Sequence, residues 1–200
     1  MKNTPNFEFE NAAPHPVCGV DEVGRGPWAG PVMAAAVILD PTQIPEGLND
    51  SKKLTAARRG VLFEAIMATA TVSIGVASVQ EIDQINILQA TFLAMKRAVD
   101  ALDIKPQFAL IDGNKIPPGL PCKSQAIVKG DARSLSISAA SIIAKVTRDR
   151  LMCDLSATYP GYGWETNMGY GTKAHQEGLA ALGITPHHRV SFKPIHKILC

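Results

Sequence analysis

Four acidic residues stand where an alternating chain of strands and helices can bring them together. Asp21 and Glu22 close an apolar, β-leaning run just before Gly24. Asp112 closes a second run in Leu-Ile-Asp-Gly, and Asp131 follows a third in Val-Lys-Gly-Asp-Ala-Arg-Ser. Carboxylates at the strand ends of one sheet can converge on a point. Oxygen ligands of this kind suit Mg²⁺ or Mn²⁺, which keep several waters and bind phosphate oxygens. Two such ions could activate water and stabilise the leaving oxygen when a phosphodiester is cut. Taken singly, each acid reads more readily as a solvated loop or turn residue, and Asp112-Gly113 is a good turn dipeptide. Neighbours on a strand also point to opposite faces. Asp21 and Glu22 therefore share a site only if the strand kinks, or if one acts through its backbone carbonyl.

The segment from Gly19 to Val32, GVDEVGRGPWAGPV, adds a second kind of chemistry. Its glycines flank Arg25, and Pro27 stiffens the chain beyond them, so backbone amides here can approach a sugar–phosphate closely. It is not a dinucleotide fingerprint: Gly30 falls one position late and Pro27 spoils the helix start. Lys52 and Lys53 precede a helix that Thr55 can cap. They can neutralise phosphates there, or form a solvated charged loop. Tyr170, between glycines, is either a surface turn residue or a platform that stacks on a sugar or base. His187, His188 and Arg189 could bind phosphate or cap the end of the fold, and nothing supplies zinc-like partners for the histidines. Trp28 and Trp164 read as packing residues.

The elements that must position these residues are set by hydrophobic pattern. Val32 to Leu39 is a continuous apolar run, as expected of a buried strand, and its short connection to Val17–Val20 suggests an antiparallel pair. Further strands are expected over Thr71–Val79, Phe108–Ile111 and Ala126–Val128, and a helix from Thr55 to about Ala70. In the helix from Glu81 to Leu102, Ile85, Leu88, Phe92, Met95, Val99 and Leu102 advance by 3,4,3,4,3 and predict one core-facing stripe. A helix from about Ser134 to Leu155 carries Ser134, Ser138, Ser141, Lys145 and Arg148 on one side and Ala139, Ile142, Ile143 and Val146 on another. Packing is the favoured role of the first side, and Asp149 is expected to pair with Lys145. Residues 1–16 read as a loose tail and 17–200 as a single domain.

Composition fits that picture. With 46% hydrophobic and 19% charged residues, the chain reads as an ordinary soluble globular domain. A net charge of +2 does not announce a nucleic-acid binder, so any basic surface must come from local clustering. The four cysteines form no CxxC pair and suggest no disulfide framework, which makes a reducing cytoplasm the simplest home. No apolar run is long enough for a membrane span, and no secretory signal is seen.

Six segments in order carry a family resemblance: GVDEVGRGP, NDSKKL (Asn49 to Leu54), LIDG (Leu110 to Gly113), KGD followed by SISAASIIAKVTRD (Lys129 to Asp149), GYGT (Gly169 to Thr172) and HHR.SF.P (His187 to Pro194). Together they resemble the type 2 ribonucleases H (ribonuclease HII) of the bacterial type. The resemblance implies an α/β fold, an RNase H-like mixed five-stranded sheet flanked by helices with a small helical C-terminal part. It implies that Asp21, Glu22, Asp112 and Asp131 hold catalytic Mg²⁺ or Mn²⁺, by a two-metal mechanism. It implies that Gly24, Arg25 and Gly26 read the ribose 2′-OH, that Tyr170 packs on the sugar beside the cut, and that Lys52 and Lys53 lie near substrate phosphates. The implied activity is hydrolysis of RNA in RNA–DNA hybrids and incision 5′ to single ribonucleotides in duplex DNA, leaving 3′-hydroxyl and 5′-phosphate ends. The implied roles are ribonucleotide removal and RNA primer clearance. A monomer is the default expectation, and no sliding-clamp motif is recognised. Two departures stand out: Met168 and Val190 occupy positions where relatives commonly carry a lysine and an arginine. Two other classes stay open on the residues alone, a catalytically silent binder of RNA–DNA hybrids and a small-substrate metal phosphatase.

Overall fold

The computed structural model describes residues 4–199. Its strands are β1 (Val17–Val23), β2 (Val32–Leu39), β3 (Ala70–Ala77), β4 (Phe108–Asp112) and β5 (Lys123–Ile127). Its helices are α1 (Glu8–Asn11), α2 (Ala56–Thr69), α3 (Val79–Asp100), α4 (Leu135–Thr158), α5 (Trp164–Asn167), α6 (Lys173–Leu182) and α7 (Lys193–Leu199). The sheet order is β3-β2-β1-β4-β5. β1 and β2, and β2 and β3, pair antiparallel, whereas β1–β4 and β4–β5 are parallel. This is the expected mixed five-stranded α/β sheet, and α5 to α7 form the expected helical C-terminal part.

Each face of the sheet is covered, which is why β2 is apolar throughout. Ala34 and Ala36 meet Ala94, Ala98 and Val99 of α3 on one side. Ala35 and Val37 meet Ala139, Ile142 and Ile143 of α4 and Leu62 and Ile66 of α2 on the other. Gly19 lets α4 approach closely, since a Cβ there would lie 2.1 Å from the Ser136 carbonyl carbon. Thr55 caps α2 as expected by accepting from the Arg58 amide. Ser78 and Glu81 form a reciprocal capping box at the start of α3.

The single stripe expected along α3 is corrected. Met95, Val99 and Leu102 are buried, but Ile85 is 38% exposed and Ile82 takes the core position instead. Asn86 has φ 68°, so the helix is broken there, and its side chain accepts from the amides of Leu88 and Gln89 to cap a second helical segment. The break resets the phase of the apolar face.

The expectation of a loose tail over 1–16 is also corrected for residues 4–16; residues 1–3 lie outside the described residues. The Asn6 amide bonds to the Arg133 carbonyl, and the Leu135 amide to the Asn6 carbonyl. Phe9 packs against the cluster of Val17, Leu110, Ile127 and Ile137. Glu10 is fully buried at the start of α4, accepting from Ser134 Oγ at 2.6 Å and the Ser136 amide at 2.8 Å. A carboxylate there answers free amides and suits the positive end of the helix.

The polar side of α4 packs inward as expected. Ser134, Ser138 and Ser141 are buried, as is Arg148, while Lys145 donates to Asp149 at 2.7 Å. Glu10→Ala would leave the Ser136 amide unanswered in a buried setting. We expect it to lower unfolding free energy by about 1–3 kcal/mol, read by urea titration, with Glu10→Gln recovering part of the loss.

Candidate active site

The sheet register assembles the site. The β1–β4 ladder ends at Val20↔Ile111, so Asp21 and Asp112 lie next to one another just past the last pair. These are the carboxyl ends of parallel strands, where open α/β sheets form their crevices. Asp21 follows Gly19 onto the α4 face, and Glu22 follows Val20 onto the α3 face, as strand alternation demands. No kink is needed to bring them together. β1 has no β4 partner beyond Val20, and one oxygen from each of Asp21, Glu22 and Asp112 lies within 4.8 Å of the others.

Asp131 sits in the 3₁₀ turn Gly130–Ala132 that follows β5. The Gly130 amide donates to Asp112 Oδ1 at 2.7 Å, tying that turn to β4. The electrostatics agree with close approach. Burial, then repulsion from Glu22, Asp112 and Asp131, pushes the Asp21 carboxyl well above its ordinary range. Burial raises Asp112 too, partly offset by the amides of Gly130 and Asp131. Asp131 is raised by burial and by the charges of Asp112 and Asp50. Burial alone would lower Lys52, but the charges of Asp21, Asp131, Asp50 and Asp112 outweigh it and the ammonium is held more firmly protonated. Crowded carboxylates are a donor set for a hard divalent cation, which would relieve their repulsion.

A cleft of about 200 Å³ opens from Asp21 and Glu22, lined also by Lys52, Lys145, Arg148 and Tyr170. Tyr170 is half exposed and lies against Gly26, where an added Cβ would come within 3.3 Å of its ring. Arg25 is exposed and pairs with Glu22 at 3.1 Å. The structure thus gathers the four acids, Lys52, Tyr170 and the Gly24-Arg25-Gly26 loop. It sets Lys53 apart: that side chain lines a different cavity and comes only within 4.0 Å of Asp50 Oδ2.

Two buried arginines hold the loop from Gly24 to Pro31. Arg148 donates to the carbonyls of Pro31 (3.0 Å), Ala29 (3.0 Å) and Met168 (2.9 Å). Arg189 donates to those of Gly30 (2.9 Å), Arg25 (3.0 Å) and Gly24 (2.6 Å). Burial lowers Arg148 to about 10 and Arg189 to about 9, so both stay charged at neutral pH. Gly24 is required beneath Arg148: its φ is +89° and a Cβ would lie 2.2 Å from Nε. His188, buried and lowered to about 4 by burial and by His175, bonds to His175 at 3.0 Å, which in turn accepts from Trp164 Nε1. Of the two roles open to the His-His-Arg segment, the structure supports capping the fold. Trp28 and Trp164 are packing residues, with Trp28 pressed on Gly171.

Sequence reasoning missed Arg148 and Arg189 as braces and Asp50 as a fifth acid beside the cluster. NDSKKL was the only signal for Asp50, and an arginine that serves backbone carbonyls leaves no signal of its own. At the two departures the backbone is what engages: the Met168 carbonyl takes Arg148, and the Val190 amide donates to Asp83.

The chain is similar to known proteins along most of its length. The family model described as Ribonuclease HII matches residues 18–195. Ribonuclease HII of Jannaschia sp. (strain CCS1) is 64% identical over 196 residues, 98% of each chain. That of Ruegeria pomeroyi is 66% identical over 183 residues, 92% of this chain and 78% of the relative. Among solved structures, the ribonuclease H2 of Pyrococcus horikoshii OT3 superposes with a TM-score of 0.77 at 31% identity, over 91% of this chain and 96% of that one. Ribonuclease HII of Archaeoglobus fulgidus, solved in a complex with PCNA, gives 0.76 at 27% identity, over 88% and 95%.

Two consequences are measurable. The native pKa of Asp21 lies above its unfolded value, so between the two the folded state holds more protons and stability falls as pH rises. In chelator at neutral pH, Asp21→Asn is expected to melt a few degrees above the wild type, about 2–4 °C per kcal/mol for this size, with the gap narrowing on acidification. A lower melting point would contradict the repulsion. Arg189→Lys keeps the charge but loses the fork, and it should cost about 3 kcal/mol by urea titration while leaving the melting rise produced by Mg²⁺ or Mn²⁺ in place.

Proposed function

Because this chain belongs to the ribonuclease HII family and is an endoribonuclease of the ribonuclease H kind, we propose that it cuts the RNA strand of RNA–DNA hybrids and incises duplex DNA 5′ to single embedded ribonucleotides, leaving 3′-hydroxyl and 5′-phosphate ends. The observation that carries the reading is the convergence of Asp21, Glu22 and Asp112 within 4.8 Å, with Asp131 tied to Asp112 through Gly130, beside a loop whose carbonyls are fixed from within.

The all-oxygen donor set fits Mn²⁺ or Mg²⁺, and Asp21, Glu22, Asp112 and Asp131 would hold two such ions. When bound, the ions supply nucleophile activation and charge stabilisation at the scissile phosphate. The rest of the chemistry belongs to the chain. Gly24, Arg25 and Gly26 present main-chain groups to the 2′-OH, the group that separates RNA from DNA. With the carbonyls of Gly24 and Arg25 already held by Arg189, this turn needs little reorganisation on binding. Tyr170, half exposed over Gly26, packs on the sugar beside the cut. Lys52, kept protonated by the acids around it, faces a phosphate, and Lys53 lies farther along the backbone.

Residues 4–199 act as one catalytic domain and as a monomer, in the cytoplasm. Ribonucleotide removal from DNA and clearance of RNA primers are the roles this activity suits. No helix among the described residues is long and apolar enough to cross a membrane. A complex with PCNA belongs to the Archaeoglobus fulgidus protein, and we place no clamp in the action of this one.

A labelled DNA duplex carrying one ribonucleotide, beside an all-DNA control, tests the reading. Metal-dependent incision 5′ to the ribonucleotide is expected, lost in chelator, lost in Asp21→Ala and absent from the control. Binding without cutting under either metal would overturn it, as would a phosphomonoester turned over as fast as the duplex.

A further inference from the structure

A second cavity, of about 540 Å³, is lined by Asn49, Lys53, Val128, Lys129, Ala132 and Arg133. It is larger than the cleft that holds Tyr170, and its lining includes residues on both sides of Asp131 in the chain. Three cations ring it and their charges are poorly met. Lys53 reaches an acid only at 4.0 Å. Lys129 has no ion pair among the described residues. Arg133 touches the Val128 carbonyl at 3.4 Å and lies over the Phe9 ring. Between the cations the wall is apolar: Val128 is 57% exposed.

The backbone adds an independent observation. Lys129 has φ 56° and ψ 43°, a left-handed conformation in which glycine would be easier. Side chains kept in such conformations cluster where they are used. The docked N-terminal segment completes the wall. The Asn6 amide holds the Arg133 carbonyl at 3.1 Å, and Thr4 stands at the rim.

We infer that this cavity is a substrate subsite that holds one sugar–phosphate unit of the bound duplex, away from the bond that is cut. The inference rests on the proposed function, because it takes the duplex as ligand. The cations meet the phosphate, while Val128 and Ala132 meet the face of the sugar. A small free anion would leave that apolar wall and most of the volume unused.

The test measures duplex binding against salt concentration in an Asp21→Asn background with Mg²⁺, where cutting does not intervene. Lys129→Gly removes the charge while relieving the left-handed backbone, so folding is not at risk, and Arg133→Gln is the second variant. Each should weaken binding about 3–10-fold at low salt, equally for ribonucleotide-containing and all-DNA duplexes, and reduce the slope of log affinity against log salt by about one. Unchanged affinity and slope in both variants, with the background still binding, overturns the subsite and leaves the proposed function standing. A background protein that does not bind the duplex at all overturns both. Inorganic phosphate is the third arm: stabilisation by it that both variants abolish, without any change in duplex binding, makes the cavity a small-anion site and overturns the inference.

Discussion

The loop beside the acids depends on two guanidinium groups that are buried and make no ion pair with a carboxylate among the described residues. Arg148 and Arg189 direct their donors to main-chain carbonyls, five of the six within the loop that follows β1. A Gly- and Pro-rich loop has no ladder of its own, and its buried carbonyls would be costly if left unanswered. A planar fork of donors answers several at once and fixes their relative directions, which a lysine cannot do. Burial costs the arginines part of their proton affinity, yet both remain charged. One brace comes from α4 and the other from the segment between α6 and α7, so the loop is tied to two separate parts of the fold.

The acids are organised on the opposite principle. Their positions are set by the sheet register, but their charges are crowded and poorly compensated: burial and mutual repulsion raise Asp21, Asp112 and Asp131 together. The fold therefore stores unfavourable electrostatics at the strand ends, and a divalent cation would release it. Stable framework and frustrated centre meet at Gly130, whose amide binds Asp112 while its carbonyl accepts the amide of Ser134, the N-cap of α4.

What was legible in the sequence was what is local or patterned. The run VMAAAVIL could only be a strand covered on both faces, and Thr55 read correctly as a cap because its partner is three residues away. The acids were legible because each ends or follows a strand. The rest depended on distant partners. Glu10 looked like part of a polar tail, yet its partner Ser134 is 124 residues on. Asn86 looked like one more polar residue in a regular stripe, and nothing nearby marked it as a break. The convergence of Asp21 and Glu22 looked to need a kink, or a backbone carbonyl in place of one side chain, because alternation alone does not show that β1 outruns its ladder with β4.

The chain is also made in an order. All four acids have emerged by residue 131, and the sheet that aligns them is complete with β5. The brace on Gly24 comes from Arg189, 165 residues later. A nascent chain halted just before that point has all four acids and Arg148, but not the donors that hold the carbonyls of Gly24, Arg25 and Gly30. The bracing of the loop's first two carbonyls is thus among the last contacts the polypeptide can make during synthesis, long after the acids it stands beside.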